Sequence, residues 1–288
     1  MNSRYADSVI KNANVITVDD DFPKAESFAV RSGRFIAVGK NEVTDDLIGP
    51  TTKVVDLSGT TILPGFIDAH IHVLSSGIRH EMAADCSLGS IREIQDALRE
   101  RANRTAPGDW VQGFKFDDTK TSDNRFLNRN DLDAVSTQHP IYVSHRAGHV
   151  YYVNSLALDL VGYHNESSDP PGGRIGRNEI SGELDGVIYE RAGDPFRSMV
   201  PVGAASTRRE GLRTICKMLN QAGLTSVHDA AVTNEQFVTY QEGKDAGDLS
   251  LRVYMLMTRA HLPALLGSGI RTGFGDELLR VGGIKCVA

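Results

Sequence analysis

His70 and His72 stand two residues apart in the tract PGFIDAHIH, which runs from Pro64 to His72. In a strand, residues i and i+2 share a face. Two imidazoles on one face of an apolar strand read as a metal-ligand pair, because imidazole suits zinc and other first-row divalent ions. The competing reading is two core histidines, each bonded to a neighbour. Phe66, Asp68, His70 and His72 share one face, and Ile67, Ala69, Ile71 and Val73 make an apolar back. That pattern suits a barrel strand covered outside by helices, with the histidines at the C-terminal end, where such barrels keep their active sites. A second apolar tract, VGGIKCVA at 281–288, carries Lys285, with Ile284 and Cys286 on the opposite face.

The surrounding elements must hold these side chains. Residues 7–38 read as short strands with a hairpin turn at Ser32-Gly33, and 1–63 as a small β unit, part of a sandwich. SIREIQDALRERANRT has helical spacing of Ile91, Ile94, Leu98 and Ala102 behind a Ser90 cap. HPIYVSHRAGHVYYV reads as one or two strands and NSLALDLVG as a helix closed by Gly162. SSDPPGGRIGRNEISGELDG is turn-rich, and its glycines lack the Lys-Ser/Thr of a phosphate loop. From Ala204 onward strands and helices alternate, which builds a parallel sheet. Four parallel strands are expected at 66–73, 224–230, 251–257 and 281–287, with 76–203 as an insertion after the first. If HPIYVSH were itself a barrel strand, every later strand number would rise by one.

Composition sets the limits. The 288 residues are 40% apolar and 24% charged, ordinary for a globular protein of one large domain or one domain plus a smaller one. A net charge of −6 argues against nucleic acid as a partner. Cys86, Cys216 and Cys286 have no paired spacing and read as reduced thiols of a cytoplasmic protein. No tract reaches the length of a membrane span, and the start has no signal-peptide pattern.

PGFIDAHIH, HPIYVSHRAGHVYYVNSLAL, SGELDGVIYE, AGLTSVHDAA and GGIKCVA occur in an order that resembles the amidohydrolase superfamily, in its amidohydrolase-3 or YtcJ-like branch. That branch includes N-substituted formamide deformylases. The resemblance runs from about Ser8 to Ala288 and concerns the N-terminal half only. It implies an α/β fold: a partial (β/α)8 TIM barrel of about four strands at 64–288, with the 1–63 unit as part of a composite β-sandwich. It implies a divalent metal, commonly zinc, held by His70, His72 and Lys285. Lys285 would be carboxylated in the intact enzyme, because an ammonium has donors only. The activity implied is hydrolysis of non-peptide C–N bonds, of amide or formamide type, in a small-molecule substrate.

The family's two further histidines and its general-base aspartate come from later strands, so no catalytic base is assigned here. The chain is therefore expected to be a truncated fragment, weakly active or inactive, with exposed barrel edges that promote self-association. His145, Arg146, His149 and His228 are candidate substrate contacts; the alternatives are a packed loop for the first three and a simple hydrogen-bonded pair with Asp229, or a helix cap, for His228. Asp68 either orients a ligand or closes a buried network, and Trp110 reads as core. Competing functions are a cyclic-amide hydrolase, a deaminase, or a non-catalytic half-barrel protein.

Overall fold

A computed structural model describes residues 4–286. The chain divides into two compact units, 1–67 and 68–288, each described by itself. The first contains β1 (Ser8–Lys11), β2 (Asn14–Ile16), β3 (Lys24–Ala25), β4 (Ser27–Arg31), β5 (Arg34–Gly39), α1 (Asn41–Asp45), β6 (Lys53–Asp56) and β7 (Thr61–Ile62). They form a four-stranded sheet, β5-β4-β1-β6, and a three-stranded sheet, β3-β2-β7. The expected turn joins β4 to β5: Ser32 and Gly33 both have positive φ, at 50° and 74°, and Arg31 pairs with Arg34. Two small cores serve the unit, one around Val9 and Ala29, the other around Val15 and Ala25.

The second unit is mixed α/β. β8 (Phe66–Ile71) crosses the division and is followed by α2 (Val73–Met82). Then come β9 (Ala83–Asp85), α3 (Ile91–Ala102), β10 (Val111–Phe116), α4 (Arg129–Asp133), β11 (Ile141–His145), β12 (Val150–Val153), α5 (Ser155–Val161), β13 (Gly173–Arg177), β14 (Leu184–Glu190) and α6 (Asp194–Met199). The last stretch holds α7 (Ala205–Gln221), β15 (Leu224–Val232), α8 (Asn234–Asp245), β16 (Arg252–Thr258), α9 (Leu262–Gly267) and β17 (Leu279–Lys285). Val287, the last residue of the strand expected at 281–287, lies outside the described residues.

Two sheets organise this unit. One has the order β17-β16-β15-β8, with β15, β16 and β17 parallel. Alternation gives it an apolar face of Val227, Val253, Met255 and Met257, buried with Leu212 and Ile215 of α7 and Val73 and Leu74 of α2. The other has the order β13-β14-β12-β11-β10-β9. β11 pairs in parallel with β10, so the HPIYVSH tract belongs to this second sheet.

Three expectations change. The expected insertion start at 76 falls inside α2, which packs with the first sheet; Gly77 approaches α7 so closely that a Cβ there would lie 2.1 Å from the Gly211 carbonyl oxygen. The separate six-stranded sheet therefore begins at Ala83. The first strand ends at Ile71 rather than 73, because Val73 already belongs to α2. Its apolar back is also not buried along its length: Ile67 is 66% exposed, and only Ile71 packs against the core. The reason is position, since β8 lies at the margin of its sheet. No helix among the described residues is long and apolar enough to cross a membrane.

Candidate metal site

The sheet face away from the apolar core carries the histidines. Ile71 turns toward the core, so the period-2 rule sends His70 to the other face, and His72, already the N-cap residue of α2, sets its ring beside that of His70. The imidazoles lie with ring centres 6.1 Å apart, and both residues are exposed. Lys285, from the opposite margin of the sheet, brings Nζ to 3.4 Å from His70 Nε2. Three strand spacings would separate the two strands by about 14 Å on a flat sheet. The contact therefore requires the sheet to curl toward its histidine face.

Backbone contacts set the nitrogens. His72 Nδ1 lies 2.8 Å from the Ala230 carbonyl oxygen. A carbonyl only accepts, so Nδ1 carries the proton and Nε2 keeps its lone pair. A lysine ammonium only donates, so His70 Nε2 likewise faces Lys285 as an acceptor. Two imidazoles on one tetrahedral ion, at about 2.0–2.1 Å per nitrogen, have ring centres about 5 Å apart. The pair fits such an ion after a small side-chain adjustment. Lys285 as an ammonium does not fit as a ligand. Asp68 Oδ1 accepts the His70 backbone N–H at 2.9 Å, which steadies the strand from within.

Asp229 has a different task. The strand carrying it continues to Val232, two residues beyond the expected end at 230. Its carboxylate is buried and accepts the Val73 N–H at 3.0 Å, the Leu74 N–H at 3.4 Å and the Tyr240 hydroxyl. It caps α2 from across the sheet, one residue after His72, where His72 offers no capping side chain of its own. Burial pushes its pKa up, against the three hydrogen bonds. His228, on the histidine face, has its ring centre 4.8 Å from that of Tyr254.

The remaining candidates sit on the six-stranded sheet or the loop after β11. His145 Nε2 pairs with Asp118 at 3.3 Å, Arg146 with Asp117 at 3.1 Å, and His149 with Glu190 at 3.1 Å. Among the described residues no hydrogen bond or ion pair joins them to His70, His72 or Lys285. Asp117, Asp118 and His145 place one ligand atom each within 4.8 Å of one another, a cluster the sequence reading missed. Its signal was the Asp-Asp pair after β10, meaningful only once β10 and β11 are known to be neighbours. The cluster is paired in part with itself, although His145 Nε2 is buried and makes no hydrogen bond. His145 Nδ1 accepts the Ala147 N–H at 3.1 Å, which puts the ring proton on Nε2, facing Asp118. Asp117 accepts from Thr119 and Arg146, and these hydrogen bonds hold its carboxyl below the usual range. Trp110 packs at the edge of a core of the same sheet.

The amidohydrolase family model matches residues 53–288, and the chain belongs to that family. It is 31% identical over 261 residues to an N-substituted formamide deformylase of Arthrobacter pascens, covering 88% of this chain and 48% of that protein. It is 29% identical over 224 residues to Protein LONG AFTER FAR-RED 3 of Arabidopsis thaliana, covering 78% and 38%. In fold it is similar to an uncharacterized metal-dependent hydrolase from Pyrococcus horikoshii, with a TM-score of 0.69 at 21% identity over 96% of this chain and 53% of that one. The chain thus spans about half the length of the relatives it matches or less.

Proposed function

We propose that this chain carries the first half of the metal centre of a hydrolase that cleaves non-peptide carbon–nitrogen bonds of amide or formamide type. The observation that carries the reading is the approach of Lys285 to His70 on the face that also bears His72. A divalent ion there, zinc by donor type, would polarise a carbonyl and lower the pKa of a bound water. His72 offers Nε2 in a fixed orientation because Ala230 holds its other nitrogen. Lys285 would have to lose its positive charge, and carboxylation would make it an oxygen donor. In this reading β8, β15, β16 and β17 are the first four strands of a (β/α)8 barrel, and the 1–67 unit is part of a β-sandwich.

Two imidazoles are one ligand short of the three that catalytic zinc sites normally have. Asp68 and Asp229 are both engaged by backbone N–H groups, so neither is assigned as general base. That group belongs to the part of the relatives' length that this chain does not span. The partner is a small-molecule amide, and the margins β8 and β17 offer edges for self-association.

The test is turnover by residues 1–288 with zinc and bicarbonate against N-formyl, N-acyl, cyclic-amide and amino-heterocycle compounds. The reading expects zinc to bind and hydrolysis to stay near background. Zinc-dependent turnover that vanishes in His70→Ala/His72→Ala would contradict the half-site, and ammonia as its product would point to a deaminase instead. A chain that binds no zinc would contradict the metal assignment.

A further inference from the structure

Away from the histidine face, a cavity of about 430 Å³ opens between α2, the starts of α7 and α8, and the β10–β12 part of the six-stranded sheet. Its floor is aromatic: Tyr142 and Tyr151 stack with ring centres 5.3 Å apart and planes 20° from parallel. Three guanidinium groups line it, those of Arg79, Arg197 and Arg208, against the single carboxylate of Glu235. Arg197 is already occupied, lying over the Tyr151 ring and pairing with Asp194.

Arg208 lies close enough to Glu235 for its charge to act on that carboxylate, and the charge of Arg79 acts on Tyr142. Arg208 donates Nη1 to the Gly203 carbonyl at 3.0 Å, but its Nε is buried and has no partner. Among the described residues no ion pair reaches Arg208 or Arg79. The Tyr142 hydroxyl has no hydrogen-bond partner among them either. Since Arg208 Nε has no accessible surface, an anion in the cavity would meet this guanidinium through its terminal nitrogens. A planar guanidinium matches a carboxylate in two parallel hydrogen bonds. The volume lies within the range of small-molecule sites, and stacked aromatics next to a few convergent polar groups are the usual lining of such sites.

We propose that this cavity binds an organic carboxylate with an aromatic or extended apolar body, the body on the Tyr142–Tyr151 stack and the carboxylate on Arg208 and Arg79. The assignment does not depend on the hydrolase reading, and the His70→Ala/His72→Ala variant should bind the ligand as the parent does.

The experiment is calorimetric titration of the 288-residue chain with trans-cinnamate, with cinnamyl alcohol as its neutral counterpart and acetate as its headgroup alone. Cinnamate should saturate one site, and the alcohol and acetate should each bind at least tenfold more weakly. Arg208→Gln should weaken cinnamate at least tenfold and leave the alcohol unchanged. Arg79→Gln, an exposed position that does not threaten folding, should weaken cinnamate severalfold. Failure of the parent chain to bind cinnamate, equal binding of the alcohol, or an Arg79→Gln chain that binds as the parent would overturn the proposal.

Discussion

Replacing Asp229 with alanine removes three acceptor contacts at once. Two cap α2 through Val73 and Leu74, and the third satisfies the Tyr240 hydroxyl, which is fully buried. Loss of an N-terminal cap costs about 0.5–2 kcal/mol. A buried hydroxyl left unpaired costs about 1–3 kcal/mol. The alanine also relieves the burial of a carboxyl whose raised pKa shows that its charge is disfavoured there, so the net loss is about 2–4 kcal/mol. For a unit of this size that corresponds to a fall in Tm of about 4–16 °C.

Urea unfolding at pH 7 of the parent, Asp229→Ala, Tyr240→Phe and the double variant would measure it. Phenylalanine has no hydroxyl to orphan, so the double variant should lose less than the sum of the single losses, by about 1 kcal/mol or more. A strictly additive cycle, or an Asp229→Ala loss below about 0.5 kcal/mol, would refute the capping argument. Because the cap fixes the residue after His72, the same variant should also weaken zinc binding, by about 10–100-fold if it acts as outer-shell partners do.

Gly77→Ala should destabilise by at least about 1–3 kcal/mol, because its methyl would meet the backbone of Gly211, whereas Gly267→Ala, which has open space and an ordinary helical position, should be neutral or stabilising; paired urea curves check both. Asp276 has its pKa depressed to about 2, first by Lys244 and then by the Leu279 and Leu278 N–H groups. A depressed folded pKa means stability that is present above the unfolded value and lost as pH falls through the folded one. The stability difference between the parent and Asp276→Asn should therefore be constant above about pH 5 and shrink between about pH 4 and pH 2, and a difference that grows on acidification would contradict it.

The spacing of two made the histidine pair legible, although the strand ends at Ile71 and His72 is already the N-cap of α2. Strand–helix alternation after Ala204 likewise reveals β15, β16 and β17. Alternation put Lys285 opposite Ile284, and Ile284 packs on the core although a bulge between Val281 and Gly283 shifts the register just before it. α2 was missed for a physical reason. VLSSGIRHEM has two serines and a glycine in its first turns, and its cap, Asp229, lies 156 residues away from Val73. Gly77 is poor for an isolated helix but is required by the contact with Gly211. The Asp117–Asp118–His145 cluster was illegible because it depends on lateral pairing of β10 with β11. The bare back of β8 was expected to be covered, since alternation reports which face is apolar but not whether anything packs on it.

The central claim is that His70 and His72 hold a divalent ion. The most direct measurement is competitive zinc titration of metal-free residues 1–288 against a chromophoric chelator, beside His70→Ala/His72→Ala and His145→Ala. The account predicts one zinc equivalent in the parent and in His145→Ala, and affinity at least tenfold weaker in the double variant. Zinc affinity unchanged in the double variant, or lost in His145→Ala, would contradict it and move the metal to the Asp117–Asp118–His145 cluster.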